Sequence, residues 1–162
     1  VGGGTGRWGL GVGLAALART LEVREVGGHG LWGDECDGGT LWLFEKVRRR
    51  SAGLDFTFID MSDASAIEKS FKPNTRMVWV ETPSNPLLKL IDLEAVAKIA
   101  RAHKAISVSD NTFASPWMQR PIKFGYDRVI HSATKYLNGH SDMGGGGIVV
   151  GEKKELGDPI AF

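Results

Sequence analysis

Apolar and polar positions along the chain alternate between two periods. Leu14, Leu17, Ala18 and Leu21 recur at helical spacing over residues 14–25, and residues 40–50 read as a second helix entered from Gly38-Gly39. Residues 54–59 alternate as a strand that ends at Asp60, and residues 63–71 predict a short helix with Asp63 as its N-cap. Met77-Val78-Trp79-Val80 is a continuous apolar run of the kind found in parallel strands buried on both faces, with Trp79 in the core. It stops at Glu81-Thr82-Pro83-Ser84-Asn85-Pro86, where two prolines force a loop. Asp92 then caps a helix with Leu93, Val96, Ala97 and Ala100 on one face. Further strands are predicted over 105–109, 127–131 and 148–150.

Strands alternating with helices define an α/β fold, a mostly parallel sheet with helices on both faces. Such sheets bind ligands outside the carboxyl ends of their strands. The residues expected there are Glu81 to Asn85, Asp110-Asn111-Thr112 and Ser132-Ala133-Thr134-Lys135. Taken singly, an aspartate at a strand end is a turn residue or cap, and a lysine after Ser-x-Thr is a solvated cation. Their order and spacing argue for more. A lysine can form a Schiff base with an aldehyde, an aspartate can keep a pyridine nitrogen protonated, and hydroxyls with backbone N–H groups at a helix start can hold a phosphate. Pyridoxal 5'-phosphate (PLP) needs all three.

Composition narrows the alternatives. The 162 residues suffice for one domain, with 42% hydrophobic residues, 24% charged residues and a net charge of +1, which gives no reason to expect a nucleic-acid or membrane partner. Arg48-Arg49-Arg50 reads as the exposed end of a helix. No apolar stretch reaches the ~18–20 residues of a membrane span, and no basic-then-apolar leader opens the chain. The lone Cys36 cannot form an internal disulfide, which fits a reducing cytoplasm. His131 and His140 flank Lys135 without spaced partner ligands, while His29 and His103 stand alone, so no metal site is expected. Gly11-Val12-Gly13-Leu14-Ala15-Ala16, with Asp34 beyond it, matches a dinucleotide fingerprint, but residues 5–10 make a poor strand before it. The run from Gly144 to Gly147 reads as a flexible turn.

The segment from Ser132 to Ser141, Ser-Ala-Thr-Lys-Tyr-Leu-Asn-Gly-His-Ser, resembles the PLP-attachment signature of the Cys/Met-metabolism enzymes. These are the cystathionine γ-lyases, cystathionine β-lyases, cystathionine γ-synthases and methionine γ-lyases. Glu81 to Pro86 and Asp110-Asn111-Thr112-Phe113 resemble two further motifs of that family, with Gly3-Gly4-Thr5 and Gly38-Gly39-Thr40 as weaker echoes. The resemblance implies the large PLP-binding domain of the aspartate-aminotransferase type (fold type I), here an incomplete piece over residues 1–162 without the family's N-terminal arm and C-terminal domain. It implies that Lys135 carries the cofactor and shuttles protons, and that Asp110 pairs with the pyridine nitrogen. Asn85 would contact the phenolic oxygen and the substrate carboxylate, while Ser132, Thr134 and the backbone of Gly13 and Leu14 would hold the phosphate. It further implies elimination from a sulfur amino acid, like cystathionine γ-lyase, with γ-replacement by a cystathionine γ-synthase or a silent cofactor-binding module as alternatives. The family assembles as cytoplasmic homotetramers with shared sites, so the fragment alone is expected to be inactive.

Departures concentrate in residues 1–37. Asp37 stands where the family has a ring-stacking tyrosine, and Val12 stands where it has a serine. Gly9, Gly11, Gly30 and Gly33 occupy strand positions that normally carry side chains. Either the cofactor site has drifted, or these residues differ from those the gene encodes. The second reading is preferred, because the resemblance keeps its frame across costly substitutions.

Overall fold

The computed structural model describes residues 6–10, 15–16, 20, 28–35, 46 and 53–151. Its framework is a seven-stranded sheet of β1 (Gly6–Leu10), β2 (His29–Gly33), β3 (Asp55–Ile59), β4 (Thr75–Glu81), β5 (Ile106–Asp110), β6 (Arg128–Ser132) and β7 (Gly146–Val150). The spatial order is β1-β7-β6-β5-β4-β2-β3. Pairing is parallel from β3 through β2, β4 and β5 to β6, and antiparallel on both sides of β7. Six strands therefore share one direction, and β7 alone opposes them. The mostly parallel α/β sheet expected from the sequence is present.

The helices form where the pattern predicted them. In α1 (Ala64–Lys69), Asp63 accepts from Ser65 N at 2.8 Å. In α2 (Leu93–Ala102), Asp92 accepts from Ala95 N at 3.0 Å, satisfying one of the orphan amides at the helix start. Leu93, Val96, Ala97 and Ala100 are buried on one stripe of α2. They pack with Val78 and Val80 of β4, Val129 of β6 and Val149 of β7 in one core cluster. A short α3 (Ser115–Met118) and a 3₁₀ turn over Pro121–Phe124 lead into β6. The helices expected over 14–25 and 40–50, the Arg48–Arg50 run, Gly11, Val12, Cys36 and Asp37 lie outside the described residues, apart from Ala15, Ala16, Thr20 and Lys46.

Three expectations need correction. Residues 6–10, read as a poor strand, form β1, because an edge strand is held by backbone hydrogen bonds that glycine supplies as well as any residue. β1 pairs antiparallel with β7, so it does not open the parallel unit a dinucleotide fingerprint requires. Gly146 and Gly147, read as part of a flexible turn, open β7 and pair with β1 and β6.

β2, at 29–33, is the third: its glycines obscure the apolar pattern, which predicts no strand there, and only the resemblance places Gly30 and Gly33 on strand positions. Its burial explains Gly30. Trp32 is fully buried, stacks on Trp79 with centroids 5.9 Å apart, and meets Phe56 edge-on at 5.1 Å. A Cβ on Gly30 would overlap the six-membered ring of Trp32, whereas one on Gly33 would make ordinary contact with Met61 Cγ at 3.7 Å. The indole occupies the space a side chain at position 30 would need. His29, one residue earlier, is also not alone: Thr75 Oγ1 lies 2.7 Å from its Nδ1 and Thr57 Oγ1 lies 2.8 Å from its Nε2.

Overpacking therefore makes Gly30→Ala destabilising by about 1–3 kcal/mol in urea unfolding, whereas Gly33→Ala should stay within about 1 kcal/mol of the parent.

Candidate functional site

Parallel register brings the polar strand ends together. Glu81 pairs with Asp110 across β4 and β5, Asp110 pairs with Ile130 across β5 and β6, and Ser132 pairs with Gly146 across β6 and β7. Asp110 is thus the last residue of β5 and Ser132 the last of β6, on neighbouring strands at one edge. Thr134 and Lys135 follow at once, in a single helical turn over Ala133–Leu137 whose regular geometry breaks at Lys135 (φ −87°, ψ −112°). Asn85 lies in the loop that leaves β4. Gly13 and Leu14 lie outside the described residues.

The sequence did not reveal what ties these tips together. Thr112 donates its backbone N–H to Asp110 Oδ1 at 3.0 Å, and its hydroxyl accepts from Ser132 N at 2.8 Å. One residue thereby orients the carboxylate and anchors the start of the Lys135 turn. That turn is held from the other side by Gly145. Its carbonyl accepts from Ala133 N at 2.8 Å, and its amide donates to Thr134 Oγ1 at 3.0 Å. Gly145 is buried, and a Cβ there would press on Met143 Cε at 3.2 Å and Ala133 Cβ at 3.3 Å. Asn111 and Gln119 make a second tie. Gln119 Nε2 donates to Thr82 O at 3.0 Å and to Asn111 Oδ1 at 2.9 Å, while Asn111 Nδ2 returns a bond to Gln119 O at 2.9 Å. The tips of β4 and β5 are cross-braced through an amide pair, with Asn111 buried and Gln119 half-buried. Only the motif position of Thr112 hinted at any of this; Gln119 and Gly145 carry no local signal.

The donor set fits PLP. The Lys135 ammonium, the Ser132 hydroxyl and the Asn85 amide make no hydrogen bond to other described residues, so amine, hydroxyl and amide at this edge are available to a ligand. Lys135 is exposed, whereas Ser132, Thr134, Asn85 and Asp110 are half-buried. Behind them, His131 is 3% exposed and its Nδ1 has no hydrogen-bond partner among the described residues. Burial pushes its imidazole down to about 4, against a smaller upward pull from a hydrogen bond with the Asn111 backbone. It is a neutral packing residue at the strand end.

A cavity of about 640 Å³ lies elsewhere, at the opposite edge of the sheet between Ala97 and Arg101 of α2, Lys123, Tyr126 and Gly151. Its carboxylate, Asp127, is bonded by Ser107 N at 2.9 Å and Ser107 Oγ at 3.1 Å, so it caps the start of β5 and is no catalytic candidate. The chemistry is therefore placed at the strand tips, where the reactive side chains are, and not at the larger void. Among the described residues no helix is long and apolar enough to cross a membrane.

A mostly parallel sheet with amine, carboxylate and hydroxyls at its carboxyl edge defines a cofactor-binding α/β domain. Residues 3–162 match the family described as Cys/Met metabolism PLP-dependent enzymes, and the chain belongs to that family. It is 49% identical over 150 residues to a cystathionine beta-lyase of Coxiella burnetii, covering 93% of this chain and 39% of that protein. A probable cystathionine gamma-synthase of Herpetosiphon aurantiacus is 47% identical over 150 residues, covering 93% and 46% respectively. Among solved structures, a cystathionine gamma-lyase from Lactobacillus plantarum in complex with L-serine superimposes with a TM-score of 0.94 at 40% identity, covering 97% of this chain and 41% of that one. The chain thus spans about two fifths of the length of these relatives.

Two measurements probe the brace. Thr112→Val removes the acceptor for Ser132 N and should destabilise by about 1–3 kcal/mol, whereas Thr112→Ser should retain most of the parent's stability in the same chemical denaturation. His131 binds its proton more weakly folded than unfolded, so the unfolded chain takes up more protons between pH 6.5 and about 4, and stability falls as pH drops through that window. The expected slope is roughly 1.4 kcal/mol per pH unit. His131→Leu should flatten it most clearly between pH 6.5 and about 5.5, above the range in which the carboxyls of Glu35, Asp60 and Asp63, all held below their ordinary values in the fold, take up protons in the unfolded chain.

Proposed function

We propose that this chain is the cofactor-holding part of a PLP-dependent trans-sulfuration enzyme that acts on sulfur amino acids by a cystathionine γ-lyase-like elimination. The observation that carries the proposal is the pairing of Asp110 and the Ser132–Lys135 turn on neighbouring parallel strand ends, joined through Thr112. The family membership supports the cofactor, and the names of the relatives support the substrate class.

Bound PLP supplies an aldehyde for covalent attachment and a ring that can take up electrons from the substrate α-carbon. Lys135 Nζ would hold the cofactor through its aldehyde and would serve as the general base toward the substrate α-proton. Asp110 would keep a proton on the pyridine nitrogen and so maintain the ring's electron demand. Its carboxylate is aimed for this by the Thr112 amide. Ser132 and Thr134 hydroxyls, with the backbone N–H groups of Gly13 and Leu14, hold the phosphate. Asn85 orients the substrate carboxylate. The complete protein functions as a homotetramer in the cytoplasm, with sites shared between subunits.

γ-Replacement by a cystathionine γ-synthase is the second reading. It is favoured by a relative of that name at 47% identity, close to the 49% of the β-lyase. Release of thiol and α-keto acid from cystathionine without an added acceptor supports elimination, whereas turnover that requires a second thiol substrate supports replacement.

The site assignment is tested on the full-length protein by adding PLP, reducing with borohydride and mapping the modified residue. Label on Lys135 is expected, and Lys135→Ala should lose the visible absorption band; label elsewhere refutes the assignment. Asp110→Ala should lower turnover at least about a hundredfold while weakening cofactor binding less, and parent-level turnover would contradict its electron-sink role.

A further inference from the structure

The loop carrying Asn85 is folded on itself and then fastened to a different strand. Thr82 Oγ1 accepts from Ile91 N at 3.0 Å and donates to Lys89 O at 3.3 Å. Ser84 N donates to Lys89 O at 3.1 Å, Lys89 N donates to Ser84 Oγ at 3.0 Å, and Leu88 N donates to Ser84 O at 3.0 Å. These bonds hold Leu88 at φ 55°, a left-handed conformation that a branched side chain adopts only where its surroundings enforce it. Glu35, two residues beyond β2, reaches this loop with both carboxylate oxygens. Oε2 accepts from Ser84 Oγ at 2.6 Å, and Oε1 lies 2.7 Å from Lys89 Nζ. Ser84, next to Asn85, is 2% exposed and the Glu35 side chain 15%, whereas Lys89 is 37% exposed.

A surface ion pair alone would fix little. Here, however, one carboxylate grips two residues of one loop, and one of its bonds is a charge-assisted bond to a buried hydroxyl. The consequences run both ways: Lys89 and then Ser84 hold the Glu35 carboxyl below its usual range, and Glu35 raises the Lys89 ammonium. Asp34 Oδ1, 3.8 Å from Lys89 Nζ, adds a weaker attraction.

We propose that Glu35 is a positioning residue, acting through Ser84 and Lys89 to hold the β4 loop in the conformation that presents Asn85 to the substrate carboxylate. The proposal rests on the role assigned to Asn85 above.

The test uses the full-length protein and hydrogen exchange of individual amides. Glu35→Gln keeps the side chain's shape but removes its charge. It should speed exchange at Leu88, Lys89 and Ile91 by about tenfold and leave Val78 to Val80 in β4 unchanged. Substrate KM should rise by a similar factor, with kcat and the cofactor titration midpoint held within about twofold of the parent. Lys89→Met should act in the same direction, and the double variant should be no worse than the stronger single one, as expected for partners in one interaction. Unchanged exchange at these three amides in both single variants overturns the proposal, as does faster exchange with an unchanged KM. Failure of Lys135 to label in the parent protein would instead overturn the site assignment, and the exchange measurement would still decide whether Glu35 holds the loop.

Discussion

The hydroxyl and amide of Thr112 make the contact on which the site's geometry depends. Parallel pairing sets β5 beside β6, but it leaves the chains free to diverge once the ladder ends. Thr112 prevents this by bonding Asp110 on its own strand and Ser132 on the next. The turn that begins at Ser132 is then clamped by Gly145, which enters from β7, the one strand running the other way. The reversal of β7 is what delivers a glycine backbone to this edge. A seventh strand running with the others would bring its carboxyl end there instead.

Burial accounts for a second set of features that looked like damage in the sequence. β2 lies between β3 and β4, where a strand needs apolar bulk on both faces. Its glycines carry no side chain to supply that bulk. The Trp32 ring restores it by lying over Gly30 against Trp79 and Phe56, so the volume missing at one position is filled from another. Gly30 therefore matches its surroundings. Asp37 and Val12 lie outside the described residues and gain no such explanation.

The loops around the site are rigid for a different reason than the sheet. Loops carry little apolar surface, so they are fixed by side chains that bond backbone groups across long stretches of sequence. Gln119 ties Asn111 to the carbonyl of Thr82, and Glu35 ties Ser84 and Lys89 to the end of β2. The reactive groups are left out of these networks: the Lys135 amine and the Asn85 amide make no hydrogen bond to other described residues. A ligand can engage them without first breaking a protein contact.

The sequence by itself determined β3, α1, β4, α2, β5 and β6, because helical stripes, N-cap aspartates and continuous apolar runs are local features read within a few residues. It also located the polar strand ends, since a strand that stops at Asp110 or Ser132 must place that residue at its tip. It did not reveal β1 or β2, whose glycines erase the apolar pattern, and it misread Gly146 and Gly147, which pair through backbone alone. Only the tertiary structure decided the direction of β7, the fit of Trp32 over Gly30, and the bonds of Thr112, Gln119 and Glu35. Each of those joins residues distant in sequence, and a hydrogen bond between two polar side chains leaves no periodicity along the chain from which its partner could be read.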